Sequence, residues 1–138
     1  MRIQNTIHTK STNLARLVAV ICLSLLIHPV VMANSADWGL VKRFKAQLEK
    51  AENGNVKAMY EVGRLYERGR GTTKNLGTAA NWYEKASEAG YDSAKARLGK
   101  MYLEGRGVNK DVNKASKLLN TAAQNDVPTA QYQLGVMY

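Results

Sequence analysis

A single period organises most of this chain. Gly54, Ala58, Gly63, Tyr66, Gly69, Arg70, Gly71, Lys74, Ala79 and Ala86 recur 36 residues later as Gly90, Ala94, Gly99, Tyr102, Gly105, Arg106, Gly107, Lys110, Ala115 and Ala122. A third register opens with Ala130, Leu134, Gly135 and Tyr138. No insertion interrupts the alignment. A fixed period between about 20 and 50 residues marks a solenoid, in which each unit buries its apolar face only against its neighbours. That shifts the functional question from a reaction to a held partner.

Within each period the apolar spacing is helical. Ala58, Val62, Leu65 and Tyr66 share one face of a first helix. Gly69-Arg70-Gly71 stops it, and Asn75 suits the N-cap of a second helix carrying Leu76, Ala79, Ala80, Trp82, Tyr83 and Ala86. The second unit copies the pattern, with Asp92 or Ser93 expected to cap its first helix and Asp111 its second. Pro128 fits the first turn of a third first helix. Upstream, Trp38, Val41, Phe44, Leu48 and Ala51 outline a capping helix within 34–53. No stretch alternates with period two. The expected fold is therefore all-α: a short right-handed α-solenoid of helix–turn–helix units over 54–89, 90–125 and a partial 126–138.

Small residues at fixed phase let helix backbones approach. Glycine inside a helix costs roughly 0.5–1 kcal/mol relative to alanine, so Gly63, Gly99 and Gly135 predict a contact that a Cβ would obstruct. Tyr66, Tyr102 and Tyr138 lie one turn further on, each needing a hydroxyl partner.

Residues 1–33 read as an export signal rather than as part of the fold. Arg2, Lys10 and Arg16 form a positive start, Leu17–Ile27 an apolar stretch, and Val31-Met32-Ala33 a cleavage site. Eleven apolar residues fall short of the roughly 20 that span a bilayer; a retained N-terminal anchor is the alternative. Cleavage would place the mature chain outside the inner membrane, in a bacterial periplasm. It would also remove Cys22, His8 and His28, the only thiol and both imidazoles. A Cys or His nucleophile, a Cys/His zinc site and a disulfide are then excluded. What remains carries 17 Lys and Arg against 11 Asp and Glu. That balance suits anionic proteins, glycans or lipid headgroups, while export argues against nucleic acid. No cofactor motif is present, since the G-x-G turns lack the strand of a phosphate-binding frame.

The strings Ala58-x-x-x-Val62-Gly63-x-Leu65-Tyr66-x-x-Gly69-x-Gly71 and Ala94-x-x-x-Leu98-Gly99-x-Met101-Tyr102-x-x-Gly105-x-Gly107 resemble the Sel1-like repeats, relatives of the tetratricopeptide repeats. So does Ala79-x-x-Trp82-Tyr83-x-Lys85-Ala86. The resemblance implies adaptor or scaffold roles, with no catalytic residue and no cofactor. Some members are cross-linked by cysteines, which a processed form of this chain would lack. In such solenoids the first helices line the concave side. Tyr60, Arg64, Lys100 and Tyr132 would then form a basic, aromatic groove floor for a protein partner, an acidic peptide or an anionic glycan. Association with a membrane surface is the alternative, and an enzyme fits least, because the carboxylates are scattered one per turn. The outer side of the last helix, with Val136, Met137 and Tyr138, is a candidate for self-association.

Overall fold

The computed structural model describes residues 34–138, with side chains described from residue 37. The export segment read over 1–33 lies outside the described residues. Among the described residues there are six helices and no strand: α1 (Asn34–Glu52), α2 (Val56–Arg68), α3 (Leu76–Glu88), α4 (Asp92–Glu104), α5 (Val112–Gln124) and α6 (Pro128–Met137). α2/α3 and α4/α5 are the two complete units, and α6 is the first helix of a third.

Local chemistry sets the boundaries. Asn75 and Asp111 cap the second helices, their side-chain oxygens accepting from the backbone N–H of Thr78 and Lys114 at 2.9 Å. Asn55 does the same for α2 through Ala58. α4 departs from expectation: neither Asp92 nor Ser93 caps it. Tyr91 holds the cap position without a side-chain bond, and its N–H donates to the Ala86 carbonyl. Asp92 lies one residue inside the helix and pairs with Lys95 at 2.6 Å. The ammonium and the Asn125 amide hold its carboxyl below the usual range.

α2 and α4 end at Gly69 and Gly105, both left-handed. Gly71 and Gly107 follow at φ 72°, and a Cβ there would meet the backbone of Leu40 and Leu76 respectively. Each turn thus rests directly on the backbone of the second-type helix before it in the stack, at positions one period apart. Two further bonds close the hairpins: Asn75 N–H donates to the Tyr66 carbonyl, and Asp111 N–H to that of Tyr102.

The Leu40 contact also places α1. Leu40 lies one period before Leu76, and α1 ends at Glu52 as α3 ends at Glu88 and α5 at Gln124. The cap is a second-type helix of an incomplete preceding unit. Its inner side packs Phe44 and Ala51 with Ala58 and Val62, and Phe44 meets Tyr66 edge-on at 5.2 Å. Trp38, expected on that apolar face, is exposed.

The core is a row of helix-pair contacts. Ala79, Tyr83 and Ala86 of α3 are fully buried, as are Ala115, Leu119 and Ala122 of α5. The glycines oppose the two bulky members. A Cβ on Gly63 would come within 2.6 Å of the Tyr83 ring, and one on Gly99 within 2.8 Å of Leu119 Cγ. The expectation for the third glycine is not met: no described atom lies within 4 Å of that point on Gly135, because no second-type helix faces α6 among the described residues.

The same substitution should therefore have opposite signs along the series. Gly63→Ala forces a buried ring to move and should destabilise by about 1–3 kcal/mol. Gly135→Ala removes only glycine's conformational entropy and should stabilise by up to about 1 kcal/mol. Urea unfolding of the two variants measures both, and equal effects would contradict the packing described.

Candidate functional site

The first helices carry a shared surface because the period returns the same phase of each to one side. α2 contributes Tyr60, α4 contributes Ser93, Ala96, Arg97 and Lys100, and α6 contributes Thr129 and Gln133 to a cleft of about 400 Å³, open to solvent. No residue of a second helix lines it. Of the four sequence-derived site residues, Tyr60 and Lys100 are brought together here. Arg64 and Tyr132 do not line it. Arg64 reaches back to both carboxylate oxygens of Glu61 at 3.0 and 3.3 Å, and Tyr132 stands 69% exposed.

Tyr60 is anchored rather than free. Its ring packs against Tyr83 at 5.6 Å and Tyr91 at 5.1 Å, so its cleft-facing edge is rigid. Lys100 has only a loose contact, 3.7 Å to Glu104 one turn on. An exposed pair at that distance contributes little and leaves the ammonium available. The cleft thus offers a fixed aromatic edge, cations, two hydroxyls and a carboxamide within one opening.

Sequence reasoning missed the group beneath Arg97. Glu67 has a side chain only 10% exposed. It accepts a 2.7 Å hydrogen bond from the Tyr83 hydroxyl. Arg97 Nε lies 3.8 Å and Arg106 3.7 Å from its oxygens. One carboxylate of the first unit therefore collects two cations of the second. Arg106 spans Glu67 and Glu104. Burial, the Glu67 bond and the Glu67 charge push the Tyr83 phenol well above its ordinary range. The cluster is unique to this junction, since Leu103 and Leu119 take the equivalent places in the next unit.

A second cleft, about 460 Å³, lies where α1 meets α2 and is lined by Leu40, Arg43, Gln47, Glu61, Leu65 and Arg70. Glu61 places a negative charge in it, and the first-helix cleft has no lining carboxylate.

The Sel1 repeat model matches residues 56–91, 92–127 and 128–138. The chain belongs to the Sel1 repeat family. Its boundaries fall two residues after those read from the glycines. Sel1-repeat proteins are protein-interaction scaffolds and their folds are generally non-catalytic. Among solved structures the chain is similar to a protective antigen of uropathogenic Escherichia coli strains that displays an SLR fold, at 41% identity and TM-score 0.65. That match covers 69% of this chain and 20% of the antigen. A Sel1 repeat protein of Oxalobacter formigenes matches at 35% identity and TM-score 0.58, over 60% of this chain and 33% of its own. Helicobacter pylori cysteine rich protein B shares the fold at 21% identity and TM-score 0.63, over 91% and 96%. The chain thus spans a fifth to a third of the first two Sel1 repeat relatives. No curated protein matches the sequence.

The Tyr83–Glu67 bond gives this Sel1 repeat junction a signature in alkali. The folded phenol stays neutral with its pKa raised, whereas the unfolded one ionises near pH 10. Its contribution is therefore intact below about pH 10 and declines as pH rises through that value. Wild type should lose more unfolding free energy between about pH 9 and 11 than Tyr83→Phe, which has no proton to release there. Parallel denaturation slopes for the two proteins would remove the buried phenol from the account.

Proposed function

We propose that this chain is an exported binding module that holds an acidic segment of a partner protein across its first helices. The cleft built solely from α2, α4 and α6 carries this reading, with Lys100 and Arg97 beside a rigid Tyr60 and no lining carboxylate. Cations that are only loosely paired attract an anionic chain, and a fixed aromatic edge supplies contact area at low entropic cost. Ser93, Thr129 and Gln133 add donors for carboxylates or a peptide backbone. Export rests on the basic and apolar pattern of residues 1–33, and a periplasmic address follows from it.

A membrane or glycan surface is the second reading, supported by the outer side of α1. There Lys42, Arg43, Lys45 and Lys50 are all exposed. Binding of that kind would fall steeply with salt and be indifferent to the cleft.

The deciding experiment titrates the chain with matched acidic, neutral and basic peptides. The acidic series should bind best, and Lys100→Glu should weaken it about tenfold or more with the helical circular dichroism unchanged. Equal affinity for all three peptide classes, or no response to Lys100→Glu, would rule out the cleft as the binding surface.

A further inference from the structure

Arg97 and Lys100 stand about one turn apart on α4, so helical phase brings both cations to one opening. Behind that opening they are the two ends of a single chain of ion pairs. Glu67 reaches Arg97 with one carboxylate oxygen at 3.8 Å and Arg106 with the other at 3.7 Å. Glu104 does the same, meeting Arg106 at 3.3 Å and Lys100 at 3.7 Å. The order is therefore Arg97, Glu67, Arg106, Glu104, Lys100, with the signs alternating throughout. Three cations against two carboxylates leave one positive charge uncompensated, and both ends of the chain line the cleft.

We propose that the cleft takes one acidic side chain of its partner, whose carboxylate bridges Arg97 and Lys100 and closes these five groups into a ring of six alternating charges. This rests on the acidic-segment reading above and narrows it from a charged stretch to a single residue. Glu67 and Glu104 already show the geometry, since each spans two cations with one oxygen apiece. Arg106 meets both carboxylates, whereas Arg97 and Lys100 meet one each. Their existing contacts are longer than the roughly 2.7–2.9 Å of a charge-assisted hydrogen bond, so a ligand carboxylate can bond both without displacing either glutamate. Ser93, Thr129 and Gln133 line the same opening and supply hydrogen bonds to the main chain around that residue. A bare anion would make no use of them.

A second acidic residue has little to add. Once the ring is closed its charges balance, no other cation lines the cleft, and Glu104 repels a further carboxylate beyond Lys100. Arg64, one period before Lys100, is taken up by both oxygens of Glu61. The arrangement belongs to this junction alone among the described units. One period earlier Glu61 and Arg68 stand in the places of Arg97 and Glu104, and one period later Gln133 and Val136 replace Arg97 and Lys100. All its members lie on α2, α4 and the turn after α4, within the two complete units.

The test measures the affinity of the full chain, at about 0.15 M salt, for C-terminally amidated peptides that differ only in carrying no, one or two glutamates. The first glutamate should raise affinity about tenfold and the second less than about twofold. Glu104→Gln leaves three cations on one carboxylate, so there the second glutamate should add about fivefold. Lys100→Gln should make the three peptides bind alike. Both substituted side chains lie at the surface, and helical circular dichroism checks that the fold is kept. Equal gains from the first and second glutamates in the wild type would mean a diffuse basic surface; that overturns the ring and leaves the acidic-segment reading standing. No gain from the first overturns both. A second glutamate that adds nothing in Glu104→Gln overturns the charge count. A neutral peptide with a free C-terminus that binds as well as the amidated peptide with one glutamate would assign the carboxylate to a chain end, and overturns the proposal as well.

Discussion

Everything in this stack depends on how close the two helices of a unit can come. A glycine on one faces a ring or a branched side chain on the other, at Gly63 against Tyr83 and at Gly99 against Leu119. Two alanines flank the bulky residue on its helix, so the side chain that fills the gap is also the one that fixes the spacing. The first and second helices are thereby locked in phase, and every other feature inherits that phase. The turn glycines meet the neighbouring backbone only because the pair is this tight. The first-helix cleft has three contributors only because each pair repeats the same offset.

The second constraint is electrostatic and occurs at one junction. Glu67 is nearly buried, and a carboxylate there would be costly without partners. It has three: the Tyr83 hydroxyl and the guanidinium groups of Arg97 and Arg106. Two of those come from the following unit, so the cluster ties adjacent units rather than the helices of one. Arg97 consequently has two roles. It faces the cleft, yet it is also positioned from below by a carboxylate, which fixes a positive charge beside Tyr60.

The sequence made the repeated features readable and hid the unrepeated ones. Glycines, tyrosines and alanines at one period revealed the helix pairs, their stops and two of the caps, because the same physics had to be satisfied twice. Glu67 carried no such signal, since its counterpart is Leu103 and that of Arg97 is Glu61. The place of α1 was obscured for a related reason. Its outward positions hold Arg43, Gln47 and Lys50, suited to water, where the inner units hold two alanines and a tyrosine or leucine. Tyr60 and Lys100 were legible from helical phase alone. Arg97 and Gln133 were not, because a shift of one residue around a helix lies within the uncertainty of a face drawn from spacing.

The turns have a consequence for how such a protein grows. Gly71 leans on the main chain of Leu40 and Gly107 on that of Leu76, and a peptide backbone is the one surface that every sequence offers unchanged. Another 36-residue block could be spliced between existing ones with its loop already fitted to whatever precedes it. At the turns, lengthening by duplication would require no side-chain change, whereas the apolar contacts between units would have to be matched by the new block. The Glu67 cluster would be broken if the new block fell at that boundary.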